Sequence, residues 1–117
     1  MSADGLATLE TDDGNDPVVR INGEVDLATA PMLRARLDEA VSNATRRRVT
    51  VDCANLAFID SSGLRVLVEA ADRLKGGGGD SGMVLVGVSR GVAKIFEIAG
   101  IDLLLTIDLA KPNADTG

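Results

Sequence analysis

The feature that most constrains this chain is a regular alternation of apolar segments of strand length with segments of helical spacing. The predicted strands are residues 6–9, 18–21, 48–53, 83–88 and 101–107, and after the second strand a single helical segment separates each successive pair. The gap between the first two strands is too short for a crossover helix, so we expect an antiparallel hairpin there. The later strand–helix–strand units favour parallel pairing with right-handed crossovers. The predicted fold is therefore an α/β domain with a mixed, mostly parallel sheet on which three or four helices pack.

Turn and capping residues set the expected limits of these elements. Residues 22–23, Asn-Gly, are expected to close the second strand. The first helix is expected to begin at Thr29, with Pro31 in its first turn, because the N–H that proline lacks is unpaired there. Ser89 is the predicted cap of the third helix, and Gly100 is its predicted end.

Other segments give expectations of their own. The glycine-rich residues 76–82 lack the Lys-Ser/Thr pair of a phosphate-binding loop, so a flexible loop is predicted. Residues 83–88 are almost wholly apolar, which predicts a strand covered on both faces. With 117 residues the chain fits one domain. We expect an N-terminal segment with the first strand and a turn at 12–15 over residues 1–16, a core over 17–109 and a disordered tail over 110–117.

Composition excludes several classes of function. The net charge is −6, which argues against general affinity for nucleic acid or anionic lipid. The arginines at 46–48 follow a predicted helix and are interpreted as a solvated helix end. The chain has no histidine and one cysteine, Cys53, which excludes a Ser-His-Asp triad and an intrachain disulfide. We therefore expect no metal or cofactor, and a buried Cys53 thiol. No secretory signal or apolar run of membrane-spanning length is present, so a cytoplasmic protein is expected.

The strongest candidate site is the segment Asp60-Ser61-Ser62-Gly63-Leu64. It follows an apolar run and precedes a helical pattern, so its polar residues lie where a helix begins. Asp and Ser are favoured N-caps, and the unpaired N–H groups and positive dipole at such an end favour an anion. Ser61 is thus either a helix cap or a serine that gains and loses a phosphate. A phosphate there is expected to meet free N–H groups.

The residues around Ser61 also have ordinary structural explanations. Ser62 either caps the helix or contacts a partner, and Leu64 is either a core residue or an apolar docking contact. Gly63 is expected where another part of the backbone approaches closely. Asp26 follows the second strand, and the carboxyl ends of parallel strands share one edge of the sheet. It is either a turn residue before the first helix or part of a docking surface.

Three segments together resemble the STAS domain of bacterial anti-sigma factor antagonists. They are Gly-Glu-Val-Asp at 23–26, Asp-Ser-Ser-Gly-Leu at 60–64 and the segment 89–101. The similarity extends from about residue 18 to residue 107. The block at 60–64 is the specific part, while the other two segments fit by their order and spacing.

The resemblance implies a partner-switching protein that is not an enzyme. In this family the unphosphorylated antagonist binds an anti-sigma factor that is also an ATP-dependent serine kinase, and so releases a sigma factor. The implied phosphorylation site is Ser61, and a PP2C-type phosphatase reverses the modification. The implied docking surface consists of Asp26, Asp60, Ser61, Ser62, Gly63 and Leu64.

Two other classes of function stay open. An enzyme with Ser61 as nucleophile beside Asp60 is disfavoured, because no histidine and no well-placed lysine supplies a base. A STAS module that senses a small ligand, or joins an assembly without phosphorylation, is the main alternative. Family members often carry a further C-terminal helix, for which residues 111–117 are too short and polar. Residues 27–28, Leu-Ala, replace polar residues of some members, which leaves the partner's identity open.

Overall fold

The computed structural model describes residues 6–11, 16–44, 48–75, 82–101 and 105–109, and within these ranges it contains five strands and three helices in the predicted order. They are β1 (Ala7–Glu10), β2 (Val18–Val25), α1 (Ala30–Asn43), β3 (Val49–Ile59), α2 (Ser61–Lys75), β4 (Met83–Val88), α3 (Arg90–Ile98) and β5 (Thr106–Leu109). The last strand begins later than predicted. None of these helices is long and apolar enough to cross a membrane.

The strands form one sheet in the order β1-β2-β3-β4-β5. The β1 strand pairs antiparallel with β2, and the remaining neighbours are parallel, which confirms the hairpin and the mostly parallel sheet. Each parallel strand is added on the same side of the one before, so right-handed crossovers place the helices on one face. That face holds the core, where Val19, Val51 and Leu85 are 0% exposed.

The prediction that residues 83–88 are covered on both faces is wrong. Only Met83, Leu85 and Val88 are buried in β4, whereas Val84 and Val86 on the other face are partly exposed. Valine is favoured in strands on either face, so a half-exposed strand gives the same apolar sequence as a doubly covered one.

Strands β2 and β3 are both longer than predicted. The β2 strand does not close at residues 22–23 but continues to Val25, because Gly23 takes a positive φ of 91° beside a shift in register against β3. The turn-like dipeptide is thus absorbed as an irregularity within the strand. The β3 strand continues past Cys53, its predicted end, to Ile59. Val25 and Ile59 are register partners, so β2 and β3 end side by side.

The structure confirms where α1 begins and where α3 begins and ends. Thr29 stands at the N-cap position of α1, with proline in the first turn, but its side chain accepts no hydrogen bond from an N–H group of the helix. Ser89 Oγ accepts a hydrogen bond from the Val92 N–H at 3.2 Å, and Gly100, with a φ of 76°, follows the end of α3. Cys53 is buried as expected, and burial raises the pKa of its thiol to about 12, with a smaller contribution from the neighbouring carboxylate. The predicted turn at 12–15, the arginines at 46 and 47, the glycine-rich residues 76–81 and the tail at 110–117 lie outside the described residues.

Candidate functional site

The candidate site lies where β2 and β3 end and α1 and α2 begin. The Asp60 N–H, just after β3, donates a hydrogen bond to the carbonyl oxygen of Val25 at 3.0 Å. This bond joins the segment that leaves β3 to the end of β2. Asp26 follows Val25 directly, so the two segments singled out in the sequence meet at one edge of the sheet.

Helices α1 and α2 lie side by side above this edge. Arg34 pairs with Glu69, and one turn further along both helices Asp38 pairs with Arg73. The two ion pairs follow the same order along both helices, so the helices run parallel. Their N-terminal ends therefore lie next to each other, at the same edge as Asp26 and the start of α2.

Asp60 is the N-cap of α2. Its Oδ1 accepts hydrogen bonds from the N–H groups of Ser62 at 2.8 Å and Gly63 at 3.3 Å, and its carbonyl oxygen accepts from the Leu64 N–H at 3.0 Å. The N–H groups of Ser62 and Gly63, which were expected to be free to bind an anion, are therefore bound by the Asp60 carboxylate. The expectation that a phosphate on Ser61 would meet free N–H groups is wrong for these two amides.

Ser61 is the first residue of α2 and is exposed. Within the described part of the chain, its hydroxyl forms no hydrogen bond. The cap of α2 is Asp60, so the capping explanation of Ser61 does not hold. Ser62, the next residue, is partly buried. The Ser61 hydroxyl is thus open to modification or to contact with another molecule.

Gly63 and Leu64 face the interior. A Cβ built on Gly63 would lie 2.6 Å from the Cγ1 atoms of both Val25 and Ile59. The close approach inferred for this glycine is therefore present, although its neighbours are side chains and not backbone. Leu64 is 8% exposed and belongs to the core. The first turn of α2 is thus packed directly on the ends of β2 and β3, which fixes the position of Ser61.

Asp26 is exposed, and its carboxylate organises the turn before α1. Its Oδ1 accepts hydrogen bonds from the N–H groups of Ala28 and Thr29, each at 3.0 Å. Thr29 Oγ1 accepts in return from the Asp26 N–H at 2.9 Å. The turn role considered for Asp26 is therefore present, and its exposure leaves it free to contact a partner as well.

An open pocket of about 630 Å³ lies between the N-terminal ends of α1 and α2. We call it the α1–α2 pocket; it combines an apolar wall with two hydroxyls and two guanidinium groups. Its lining residues are Leu27, Ala30, Pro31, Arg34, Ser61, Ser62, Arg65 and Val66. Leu27 is 77% exposed at its mouth.

The two arginines of the α1–α2 pocket were not among the site residues predicted from the sequence. Arg65 lies four residues after Ser61 on α2, a spacing that places both on one face of a helix, and this signal was available in the sequence. Arg34 comes from α1, and its proximity depends on how α1 packs against α2. The Arg34 guanidinium is 2.6 Å from Glu69, whereas Arg65 has no ion pair among the described residues.

Removing the Asp60 carboxylate is expected to lower the free energy of unfolding by about 1 kcal/mol, because two N–H groups of α2 lose their acceptor. Asp60→Asn keeps an acceptor at the same place and is expected to lose much less than Asp60→Ala. Chemical denaturation of the wild type and both variants measures the difference. Equal losses in the two variants would contradict the capping role.

A family model and two curated relatives match most of this chain and agree with each other on the family. The family model described as Mlab, STAS domain matches residues 8–106. The anti-sigma F factor antagonist of Paenibacillus polymyxa is 30% identical over 99 residues, covering 85% of this chain and 83% of the relative. The anti-sigma-B factor antagonist of Staphylococcus aureus is 30% identical over 90 residues, covering 77% and 81%.

Solved structures show the same fold. The anti-sigma factor antagonist from Mycobacterium paratuberculosis superposes with a TM-score of 0.73 at 23% identity, covering 98% of this chain and 92% of that one. The anti-sigma factor antagonist SpoIIAA in its unphosphorylated form gives 0.65 at 20% identity, covering 94% and 93%. The Bacillus cell fate determinant SpoIIAA in its phosphorylated form gives 0.62 at 20% identity, covering 94% and 95%.

Proposed function

The chain belongs to the STAS-domain family of anti-sigma factor antagonists, and we propose that in its unphosphorylated form it binds an anti-sigma factor that is also a serine kinase. This binding releases a sigma factor. Phosphorylation of Ser61 ends the interaction, and a PP2C-type phosphatase restores the binding form. The chain acts by binding and not by catalysis, and it works in the cytoplasm, where sigma factors act.

The observation that carries this proposal is the accessibility of the Ser61 hydroxyl. The residue is exposed, and its hydroxyl forms no hydrogen bond within the described residues. It is held in place by Gly63, which packs on the strand ends, and it borders the α1–α2 pocket. A hydroxyl that is fixed in position and unoccupied suits a kinase. The phosphorylated and unphosphorylated forms known for SpoIIAA, a protein of the same fold, support the assignment.

The residues of the proposed docking surface fall into an exposed group and a buried group. Asp26, Asp60, Ser61 and Ser62 are exposed or partly exposed and contact the partner directly. Gly63 and Leu64 are buried and contribute by fixing the start of α2. The exposed apolar side chain of Leu27 adds a contact that complements the polar residues.

Phosphorylation acts on the complex through charge. It adds about 1.5 to 2 negative charges at neutral pH, next to the Asp60 carboxylate. An interface fitted to a neutral hydroxyl would have to bury this group, and like charges or an unpaired buried charge cost several kcal/mol across an interface. No movement of the backbone is required.

The test is capture of partners from the host lysate with tagged wild type, Ser61→Ala and Ser61→Glu, analysed by mass spectrometry. Ser42→Glu is the matched control, because Ser42 is exposed near the other end of α1. We expect wild type, Ser61→Ala and Ser42→Glu to retain an anti-sigma factor with a kinase domain, and Ser61→Glu to lose it.

The α1–α2 pocket favours one alternative function. Its volume of about 630 Å³ falls in the size range of small-molecule sites. A pocket of this size would suit the ligand-sensing form of the alternative, a STAS module that senses a ligand or joins an assembly. If all four proteins capture the same partners, or none, Ser61 is not the switch. The alternative would then replace the phosphorylation model.

A further inference from the structure

A phosphate on Ser61 faces a charge problem at the start of α2. The Asp60 carboxylate already occupies the N–H groups of Ser62 and Gly63. A second anion one residue later therefore lies beside a negative charge, and these two amides are not available to it. A favourable environment for the phosphate has to come from side chains.

The side chains that line the α1–α2 pocket together with Ser61 supply such an environment. Arg34 and Arg65 are the charged residues of this lining, and no carboxylate belongs to it among the described residues. The lining thus carries two guanidinium groups in a chain whose net charge is −6, and one of them, that of Arg34, is also paired with Glu69 outside the lining. Guanidinium groups match phosphate geometry and bind it through paired N–H donors.

Arg65 is placed to reach the phosphate within α2. Residues four apart on a helix have Cβ atoms about 5–6 Å from each other on the same face. Arg65 is exposed and has no ion pair among the described residues, so binding a phosphate breaks no existing interaction. An arginine side chain is long enough to reach across this spacing to a group on Ser61.

Arg34 reaches the α1–α2 pocket from the neighbouring helix. Its Nη2 is 2.6 Å from Oε1 of Glu69, a contact that holds the side chain between α1 and α2. A guanidinium has five N–H donors. Arg34 can therefore keep its bond to Glu69 and still donate to a phosphate.

We propose that Arg34 and Arg65 form a binding site for the phosphate of phosphorylated Ser61 in the same chain, an inference that rests on Ser61 being the modified residue. The phosphate occupies the α1–α2 pocket and is held by groups from both helices. In this form the pocket and its two arginines are no longer available to the partner. The switch then combines occlusion of the docking surface with electrostatic repulsion.

The test introduces phosphoserine at position 61 by genetic code expansion, so that no kinase is needed. Titration followed by ³¹P NMR gives the second pKa of the phosphate, which is about 6 when unperturbed. We expect this pKa to be lower in the wild type than in the double variant Arg34→Gln/Arg65→Gln by about one unit or more, with each single variant between them. The carboxylates next to these groups are Asp60, which precedes Ser61, and Glu69, which pairs with Arg34, and both are present in every protein compared.

Arg73→Gln is the matched control. It removes the other ion pair between α1 and α2, and the same single charge as Arg34→Gln or Arg65→Gln, but Arg73 does not line the α1–α2 pocket. We expect it to leave the phosphate pKa at the wild-type value. An equal pKa in the wild type and the double variant, or an equal rise in Arg73→Gln, would overturn the proposal.

Binding of the captured anti-sigma factor separates this inference from the proposed function. If phosphorylated wild type loses the partner but the double variant shows no rise in pKa, the phosphate site is wrong and the switch stands. If the pKa rises as expected but phosphorylated and unmodified chains bind the partner equally, the phosphate site stands and the switch is wrong.

Discussion

Phosphoserine at position 61 is expected to weaken binding of the captured anti-sigma factor by at least about a hundredfold relative to the unmodified chain. Each tenfold in affinity corresponds to about 1.4 kcal/mol, and a poorly compensated charge at an interface costs several kcal/mol. Ser61 is exposed at the centre of the proposed docking surface, with Asp60 beside it. Binding of the phosphate by Arg34 and Arg65 does not restore affinity for the partner, because the two arginines are then no longer available on the docking surface.

Calorimetric titration of the purified partner into each form measures this loss. Phosphoserine at position 42 is the control, because it adds the same charge on an exposed residue about 18 Å along α1 from the helix end that borders the site. We expect the control to bind within a few-fold of the unmodified chain. An equal loss at both positions would show that net charge, and not position 61, weakens the complex.

The succession of strands and helices along the chain, and the parallel or antiparallel sense of their pairing, could be predicted because each depends on a local signal. The short gap after β1 excludes a crossover helix, and β2, β3 and β4 are each followed by a helical pattern with its own cap or stop. Ser89 and Gly100 marked the limits of α3 correctly. The ends of β2 and β3 could not be predicted in the same way. Residues 22–23 have the composition of a turn, but pairing of Asn22 and Gly23 with β3 keeps the chain within the sheet there.

The meeting of Asp26 and the segment 60–64 at one edge of the sheet could be predicted from the sequence, but the cap of α2 and the side chains around Ser61 could not. Asp60 and Ser61 were both plausible caps by residue type, and the choice between them is made by a hydrogen bond from Ser62 to the Asp60 carboxylate. The contribution of Arg34 depends on α1 lying parallel to α2, which the sequence of either helix alone does not specify. Tertiary packing therefore decides which charges surround Ser61.

Replacing Gly63 with alanine is expected to lower the free energy of unfolding by about 2 kcal/mol, because an added methyl group overfills a packed site. The new Cβ would lie 2.6 Å from side-chain atoms of Val25 and Ile59, and both residues are 0% exposed, so neither can move into solvent. The better helix propensity of alanine offsets only about 0.5–1 kcal/mol of this cost. Thermal unfolding should show a midpoint lowered by about 5–10 °C.

Gly91→Ala is the matched control, since Gly91 also lies in the first turn of a helix, α3, but a Cβ there has nothing within 4 Å. The same substitution is expected to raise the free energy of unfolding by up to about 0.5–1 kcal/mol. Opposite signs at the two glycines would show that α2 is held by contact with the strand ends. Equal effects would mean that α2 tolerates a shift, and Ser61 would then not be fixed by the packing of Gly63. Because the shift needed to fit the methyl group also moves Ser61, Gly63→Ala should reduce capture of the anti-sigma factor even where the variant remains folded.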